Sequence, residues 1–170
     1  MVRTTWSKRG ETPYLRHSFV KDKLSAISAV TANPHFYMKT YRVRGIDSQK
    51  VIAFLKHLGR HIGNKIFIIW DNGPVHKSKL VRKFIWKNRK KFRAYALPGY
   101  APELNADEGP WAQLKWHELK GYAARNLEEL DLRLKKGGRK IRRNKRLIQS
   151  FLDRTPLNFD NLSINLCRNH

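Results

Sequence analysis

Two acidic residues occupy positions from which a carboxylate could hold a metal ion. Asp71 directly follows Ile66–Trp70, an uninterrupted apolar run with the length of a strand buried on both faces. Residues at such strand ends often carry function in α/β sheets, because the strand end faces a crevice. Glu108 precedes Trp111 by three positions, so the two share a helix face that packs inward. A carboxylate there is costly to bury unless a cation, such as a metal ion, pairs with it.

Plainer interpretations of these residues also exist. Asp71-Asn72-Gly73 has the composition of a simple turn. Glu108 suits the first turn of a helix, where an acid interacts favourably with the helix dipole. Asp107 and Glu103 are alternative acids in the same region. Considered in isolation, each acid favours the plainer interpretation.

Other kinds of site are excluded by what the sequence contains. His76 lies five residues after Asp71, but no second His or Cys follows at ligand spacing, which argues against zinc. The single cysteine, Cys167, excludes a disulfide within the chain. No phosphate-binding GxxxxGK[ST] loop occurs, so ATP hydrolysis of that type is not supported.

The chain is strongly basic, with 36 Lys and Arg against 13 Asp and Glu and a formal net charge of +23. Such a domain repels itself unless a polyanion neutralises it, and nucleic acid binds lysine and arginine with release of counterions. Segments 77–93 and 133–146 each hold nine Lys or Arg and no acid, a pattern that favours phosphate tracking. Nucleic-acid contacts are therefore predicted at His76, Lys77, Lys79, Arg82, Lys115, Arg139, Arg142 and Arg143.

A membrane surface is the less favoured partner of a basic chain like this one. The sequence has no run of 18 apolar residues and no evident amphipathic anchor or lipidation signal. We therefore expect no membrane partner.

Hydrophobic periodicity predicts the elements that would position the acids. Alternation predicts a hairpin from strands at about 24–31 and 35–43, and apolar spacing predicts a helix from about 48 to 62. A strand at 66–70, a helix from about 78, a strand at 92–97 and a helix from about 106–108 to 120 follow. Another helix begins after Asn126 and ends at Gly137-Gly138, and a last one spans about 141–152. This order predicts a mixed α/β fold.

Two long segments resemble motifs of the mariner-like insertion-sequence transposases, the DDE superfamily endonucleases. Segment 68–78, Ile-Ile-Trp-Asp-Asn-Gly-Pro-Val-His-Lys-Ser, resembles their second-aspartate motif. Segment 97–111, Leu-Pro-Gly-Tyr-Ala-Pro-Glu-Leu-Asn-Ala-Asp-Glu-Gly-Pro-Trp, resembles their final-carboxylate motif. Segment 5–13 also resembles a hairpin of the family, and the resemblance extends from about residue 4 to about residue 135.

The resemblance implies a ribonuclease H-like mixed sheet flanked by helices, with three carboxylates that bind two Mg²⁺ or Mn²⁺ ions. It implies metal-dependent DNA strand cleavage and transfer at transposon ends. Asp71 would be the second acid and Glu108 the third, each a catalytic residue and a metal ligand. DNA, both transposon ends and target, would be the partner.

The resemblance also implies a first aspartate, on a strand just upstream of the hairpin segment that here starts at residue 4. We therefore expect an N-terminally incomplete domain that lacks its first strand and first acid. Recoding of a frameshifted pair, another chain, or decay of the gene would each explain this. The alternative function is a catalytically inactive nucleic-acid-binding remnant, while the two motifs weigh against a generic basic RNA-binding protein.

The same interpretation predicts how the chain is organised. Residues 1–135 would form the partial catalytic domain and residues 136–170 a basic helical C-terminal tail. A homodimer or an upstream transposase half would be the protein partner. We expect a bacterial cytoplasmic protein that is nucleoid-associated when bound to DNA.

Overall fold

A computed structural model describes residues 23–157 of the chain, together with Arg9. The predicted hairpin segment 5–13, except for Arg9, and the end of the predicted tail lie outside the described residues. The described elements follow in the order β1 (Ser25–Thr31), β2 (His35–Tyr41), α1 (Ser48–His61), β3 (Ile66–Trp70), α2 (Lys79–Lys87), β4 (Phe92–Ala96), a 3₁₀ turn (Pro102–Leu104), α3 (Glu108–Gln113), a π-helical turn (Leu114–Glu118), α4 (Leu127–Arg143) and α5 (Lys145–Asp153). The predicted mixed α/β class is confirmed.

The four described strands form two separate pairs. β1 and β2 are antiparallel, with Ser25 opposite Tyr41 and Thr31 opposite His35, as expected for the predicted hairpin. β3 and β4 are parallel and joined through α2, with Trp70 opposite Ala96 at their carboxyl ends. Among the described residues no hydrogen-bonded ladder joins the two pairs, so each of the four strands keeps one unpaired edge there.

Side-chain caps fix where the helices begin. The Asp47 carboxylate accepts a hydrogen bond from the Lys50 amide at 2.8 Å, and the Ser78 hydroxyl accepts one from the Val81 amide at 3.3 Å. Asn126 caps α4 in the same way, through the Glu129 amide at 2.8 Å. Such caps satisfy backbone donors that have no partner in the first helical turn. Within residues 23–157, no helix is both long enough and apolar enough to cross a membrane.

Two hydrophobic clusters hold these elements together. The first lies among α1, α2, β3 and β4 and consists of Val51, Phe54, Leu55, Leu58, Ile66, Val81 and Phe92. The second lies among β2, the π-helical turn, α4 and α5 and consists of Phe36, Leu114, Leu134, Ile141, Ile148 and Phe151. Ile27 and Ala29 of β1 pack against the first cluster, whereas Ala26 and Val30 pack against the second. The hairpin therefore links the two halves of the core.

β3 is less buried than its sequence predicts. Ile66 is buried, but Ile69 is 37% exposed although it belongs to the same apolar run. The expectation of burial on both faces is wrong for the described residues, because helices there do not cover the outer face of β3. Phe67 stacks against Tyr95 on the sheet, with ring centroids 6.4 Å apart.

The sequence predicts that α4 ends at Gly137-Gly138, and this prediction is wrong. The helix continues to Arg143, and Asn144 then caps α5 through the Leu147 amide. Both glycines are buried, and a methyl group at Gly137 would lie 2.6 Å from Leu114 Cδ2 and 2.7 Å from Glu118 Cγ. The glycines therefore permit close packing of the helix, and α4 runs through the domain boundary predicted between residues 135 and 136.

We predict opposite effects of alanine at these two glycines. At Gly137 the methyl group meets two buried side chains, and overpacking should outweigh the gain of roughly 1 kcal/mol in helix propensity. At Gly138 the only close atom is the terminal methyl group of Met38, at 2.6 Å, and that flexible side chain can turn away. Gly137→Ala should destabilise the fold by about 1 kcal/mol and Gly138→Ala should not, as measured by urea denaturation. Equal effects of the two substitutions would contradict this explanation.

Candidate active site and nucleic-acid interface

Asp71 lies where the sequence predicts it, directly after the carboxyl end of β3. Leu97 ties that end to β4, because its amide donates to the Trp70 carbonyl at 2.8 Å and its carbonyl accepts from Asn72 Nδ2 at 2.5 Å. The Asp71 side chain is 65% exposed, and its Oδ1 accepts a hydrogen bond from the Gly73 amide at 2.9 Å. A Cβ atom at Gly73 would also lie 2.9 Å from that oxygen, so a larger residue here would displace the Asp71 carboxylate. The turn at Gly73 therefore helps to hold the Asp71 carboxylate in its exposed position.

His76 is a neighbour of Asp71. Its ring stacks on Trp70 with centroids 4.3 Å apart, and its Nε2 lies 3.4 Å from Asp71 Oδ1. Burial lowers the pKa of His76, while the Asp71 charge opposes that shift. Its Nδ1 is buried without a hydrogen-bond partner among the described residues. The histidine therefore packs beneath Asp71, and its predicted contact with nucleic acid stays a prediction.

Glu108 is the first residue of α3 and is exposed. Its backbone amide donates to the Asn105 carbonyl at 3.0 Å, which anchors the start of the helix. Within residues 23–157 its carboxylate has no hydrogen-bond or ion-pair partner. Although the chain has 36 basic residues, none in the described part pairs with Glu108, so its carboxylate is available to bind an added cation.

Asp107, not Glu108, is the acid of this region whose carboxylate packs inward. Its Oδ2 accepts hydrogen bonds from the Ser28 hydroxyl at 2.5 Å and from Trp111 Nε1 at 3.1 Å. Its Oδ1 is buried with no partner among the described residues. These bonds join the start of α3 to β1 and thereby hold the helix that carries Glu108. The four-residue spacing of Asp107 and Trp111 could have revealed their contact, but Ser28 lies 79 positions away and carries no such signal.

We predict that Asp107 makes stability fall as the pH rises. Burial raises its pKa from 3.8 to about 6, while the hydrogen bonds from Ser28 and Trp111 partly oppose the shift. The folded chain therefore keeps this proton to a higher pH than the unfolded chain, and the resulting stability is lost between about pH 4 and pH 6. Asp107→Asn cannot titrate, so its stability relative to wild type should rise by about 2 kcal/mol from pH 4.5 to pH 7.5. Urea denaturation at both pH values measures this, and a pH-independent difference would refute the assignment.

The donor chemistry of the two predicted ligands suits a hard cation such as Mg²⁺ or Mn²⁺. However, no group of three or more His, Cys, Asp or Glu side chains in the described part of the chain is placed to hold a metal ion. Asp71 and Glu108 belong to separate elements, at the end of β3 and the start of α3. These two carboxylates therefore do not make a complete metal centre by themselves.

The first basic segment lies along α2 and the turns around it. Lys77, Lys79 and Arg82 are all exposed. No Lys or Arg of segment 77–93 forms an ion pair with a described residue. These cations follow directly after the Asp71 turn, so a polyanion on α2 would pass close to Asp71.

The second basic segment divides into two sets. Arg133 and Lys140 pair with the buried Glu118 and so tie α4 to the π-helical turn, whereas Lys135 pairs with the buried Asp131 within α4 itself. The predicted contacts Arg139, Arg142 and Arg143 are exposed and have no carboxylate partner among the described residues. Arg142 also donates from Nε to the Phe36 carbonyl at 3.2 Å. α2 and α4 pack into different hydrophobic clusters, so the two basic segments do not form one contiguous element.

The remaining predicted contact, Lys115, is exposed on the π-helical turn that continues α3. Its neighbour Trp116 is 62% exposed and was not identified from the sequence. Trp111, five residues earlier on the same helical segment, packs against the second cluster. Residue type and spacing alone therefore do not tell which of the two tryptophans is exposed.

Two solved structures are similar to part of this chain. The first is a chain of the cryo-EM structure of the simian T-cell lymphotropic virus intasome in complex with PP2A regulatory subunit B56 gamma, with 16% identity and a TM-score of 0.49; the match covers 75% of this chain and 53% of that one. The second is the crystal structure of the catalytic domain of Mos1 mariner transposase, with 13% identity and a TM-score of 0.46, covering 79% of this chain and 82% of that one. This chain thus spans about half of the intasome chain. Both TM-scores are below 0.5, so the assignment of a family rests on sequence.

No curated protein matches the chain. The family model described as DDE superfamily endonuclease matches residues 1–131, which include both acidic motifs. Members of this family generally use divalent metal ions. Because the match spans most of the 170 residues, the chain belongs to the DDE superfamily endonucleases.

Proposed function

We propose that this chain is the catalytic domain of a DNA transposase, in which Asp71 and Glu108 are metal ligands for strand cleavage and transfer at transposon ends. The observation that carries the proposal is the family match, since it spans both motifs. Two features of the site support it. Both carboxylates are exposed, and that of Glu108 has no partner among the described residues.

The metal centre needs ligands beyond these two. Two ions held by carboxylates would activate the attacking hydroxyl and stabilise the leaving oxygen in an in-line displacement. Because the described residues offer no set of three ligands, we infer that a further acid comes from outside residues 23–157 or from another chain. The chain's own contribution is to hold Asp71 through the Gly73 amide and Glu108 through the anchored start of α3.

The unpaired strand edges fit a partner of this kind. β1 and β3 both contribute side chains to the first cluster, yet each has a ladder partner on one edge only among the described residues. Unpaired edges readily accept another strand. We propose that a second copy of the chain or an upstream transposase half supplies one, with a ribonuclease H-like sheet as the result.

DNA is the proposed partner of the basic surfaces. The exposed cations of α2 and the unpaired cations of α4 would bind phosphates, and in a bacterial cell they would hold the chain at the nucleoid. A catalytically inactive DNA-binding remnant is the second candidate. It is favoured by the incomplete set of metal ligands among the described residues.

A cleavage assay separates the two functions. The full chain is incubated with a labelled supercoiled plasmid and Mn²⁺, alone and with an upstream transposase half. Nicking that is lost in both Asp71→Asn and Glu108→Gln would support the enzyme. DNA binding without nicking under either condition would support the inactive remnant.

A further inference from the structure

The exposed side of α3 and its π-helical continuation carries more than Glu108. Glu108, Ala112, Lys115 and Trp116 are all exposed. Their spacing of four, seven and eight residues from Glu108 puts them on one side of a helix. At a rise of 1.5 Å per residue, Trp116 lies roughly 12 Å along the axis from Glu108. The candidate metal ligand and an exposed tryptophan therefore share one surface.

The π-helical turn explains why this tryptophan points outward. The Leu119 amide donates to the Leu114 carbonyl at 3.0 Å, five residues back, so the turn is wider than an α-helical turn. Leu114 and Glu118 are both buried, which leaves the three residues between them exposed. π-helical turns of this kind are frequent at functional sites.

The surroundings of Trp116 are positively charged. Lys120 Nζ lies 5.6 Å from the centroid of its ring, a distance typical of a cation–π contact, and Lys115 is exposed beside it. The nearest acid in sequence, Glu118, is buried and paired with Lys140 at 2.6 Å. An aromatic face flanked by cations suits a partner that offers a π face between negative charges, as a nucleobase on its phosphate backbone does.

We propose that Trp116 stacks on an unpaired base of the DNA, and that Lys115 and Lys120 bind the phosphates on either side. This inference rests on the proposed function. The base must be unpaired or at a strand end, because a base within a duplex has both faces covered by its neighbours. At 3.4 Å per stacked nucleotide, roughly 12 Å corresponds to a base three or four nucleotides from the phosphate that faces Glu108.

Trp86 is a matched control on another helix, and it tests whether the preference for the overhang belongs to Trp116. It is 66% exposed and has its own cation–π contact, with Arg89 at 5.1 Å, but it lies on α2. Removing either ring therefore costs the fold little and removes the same amount of exposed aromatic surface. Of these two rings, only that of Trp116 lies on the helical segment that begins at Glu108.

The test compares binding of the full chain to a 20-bp blunt duplex and to the same duplex with a six-nucleotide 3′ overhang, by fluorescence anisotropy. Trp116→Ala should weaken binding to the overhang DNA about tenfold and binding to the blunt duplex less than twofold. Trp116→Phe should retain most of the affinity, and Trp86→Ala, on the basic helix α2, should affect binding to the two DNAs equally. An abasic site moved along the overhang should weaken wild type at one position only, and Trp116→Ala should not respond to it.

Three results would overturn the proposal. The first is an equal effect of Trp116→Ala and Trp86→Ala on binding to the two DNAs. The second is unchanged binding of Trp116→Ala to the overhang DNA. The third is loss of self-association by Trp116→Ala in sedimentation with DNA binding unchanged, which would show that the ring contacts a second copy of the chain. If the wild-type chain binds neither DNA, the proposed function fails as well. Binding to the blunt duplex without a role for Trp116 would reject this inference alone.

Discussion

Replacing Asp71 with Asn, or Glu108 with Gln, should weaken Mn²⁺ binding by the full chain in the presence of DNA at least about tenfold. Each change removes a negative charge and replaces a carboxylate oxygen with an amide group of similar shape. Both side chains are exposed, so neither change should destabilise the fold appreciably. Titration of free Mn²⁺ by electron paramagnetic resonance measures the affinity, and strand cleavage should fall to background in parallel.

Glu103→Gln is the matched control for this prediction. Glu103 is an exposed glutamate five residues before Glu108, in the 3₁₀ turn that precedes α3, with no described hydrogen bond or ion pair. It should bind Mn²⁺ like wild type. If it weakens binding as much as Glu108→Gln does, the effect is one of general charge, and the assignment of Glu108 is wrong.

DNA affinity should fall steeply with salt. If the exposed cations of α2 and α4 make six to ten phosphate contacts, the affinity should drop by about 10³ to 10⁵ between 50 and 200 mM salt. Neutralising three exposed cations of α4 and the first turn of α5, with Arg139→Gln, Arg143→Gln and Arg146→Gln combined, should lower the slope of log K against log salt by about 3. Anisotropy titrations on a duplex at several salt concentrations measure the slope.

A second triple variant tests whether position or total charge matters. Lys56→Gln, Arg60→Gln and Lys65→Gln remove the same charge from exposed positions on α1 and just after it. For this triple variant, the slope of log K against log salt should stay close to the wild-type value. Equal slopes in the two triple variants would show that binding follows net charge alone, without a defined DNA path on α4.

Local patterns predicted most of the described elements. Val51, Leu55 and Leu58 repeat at helical spacing, and all three are buried in α1. The cap at Asn126 and the five-residue strand before Asp71 also lie where predicted. These features depend on neighbours within one or two turns of chain, so a single sequence contains the information.

The features that the sequence did not predict depend on distant partners. The sequence predicts a helix end at the glycines of α4, because nothing near them reveals Leu114 and Met38 packed against their backbone. Whether Ile69 is exposed depends on which elements cover β3. The apolar run of β3 does not contain that information. Tertiary packing in these places overrides local propensity.

In the candidate site, too, the sequence predicts local features and misses those that depend on distant residues. The sequence placed Asp71 correctly because a strand end is a local feature, and the motif resemblance added Glu108. It did not predict that the Asp107 carboxylate would pack inward, because that depends on Ser28 in β1. Nor did it predict the exposed ring of Trp116, which depends on a change of helical pitch at Leu114–Glu118.

Iron-mediated cleavage of the polypeptide tests the central claim most directly, since it asks whether one ion lies beside both acids. Fe²⁺ is added in place of Mg²⁺ to the full chain bound to DNA, with ascorbate and peroxide, and the fragments are identified by mass spectrometry. We predict backbone cuts close to Asp71 and close to Glu108, both suppressed by excess Mg²⁺ and both lost in Asp71→Asn. Cuts at only one of these segments, or at neither, would show that Asp71 and Glu108 do not share a metal ion and would contradict the account.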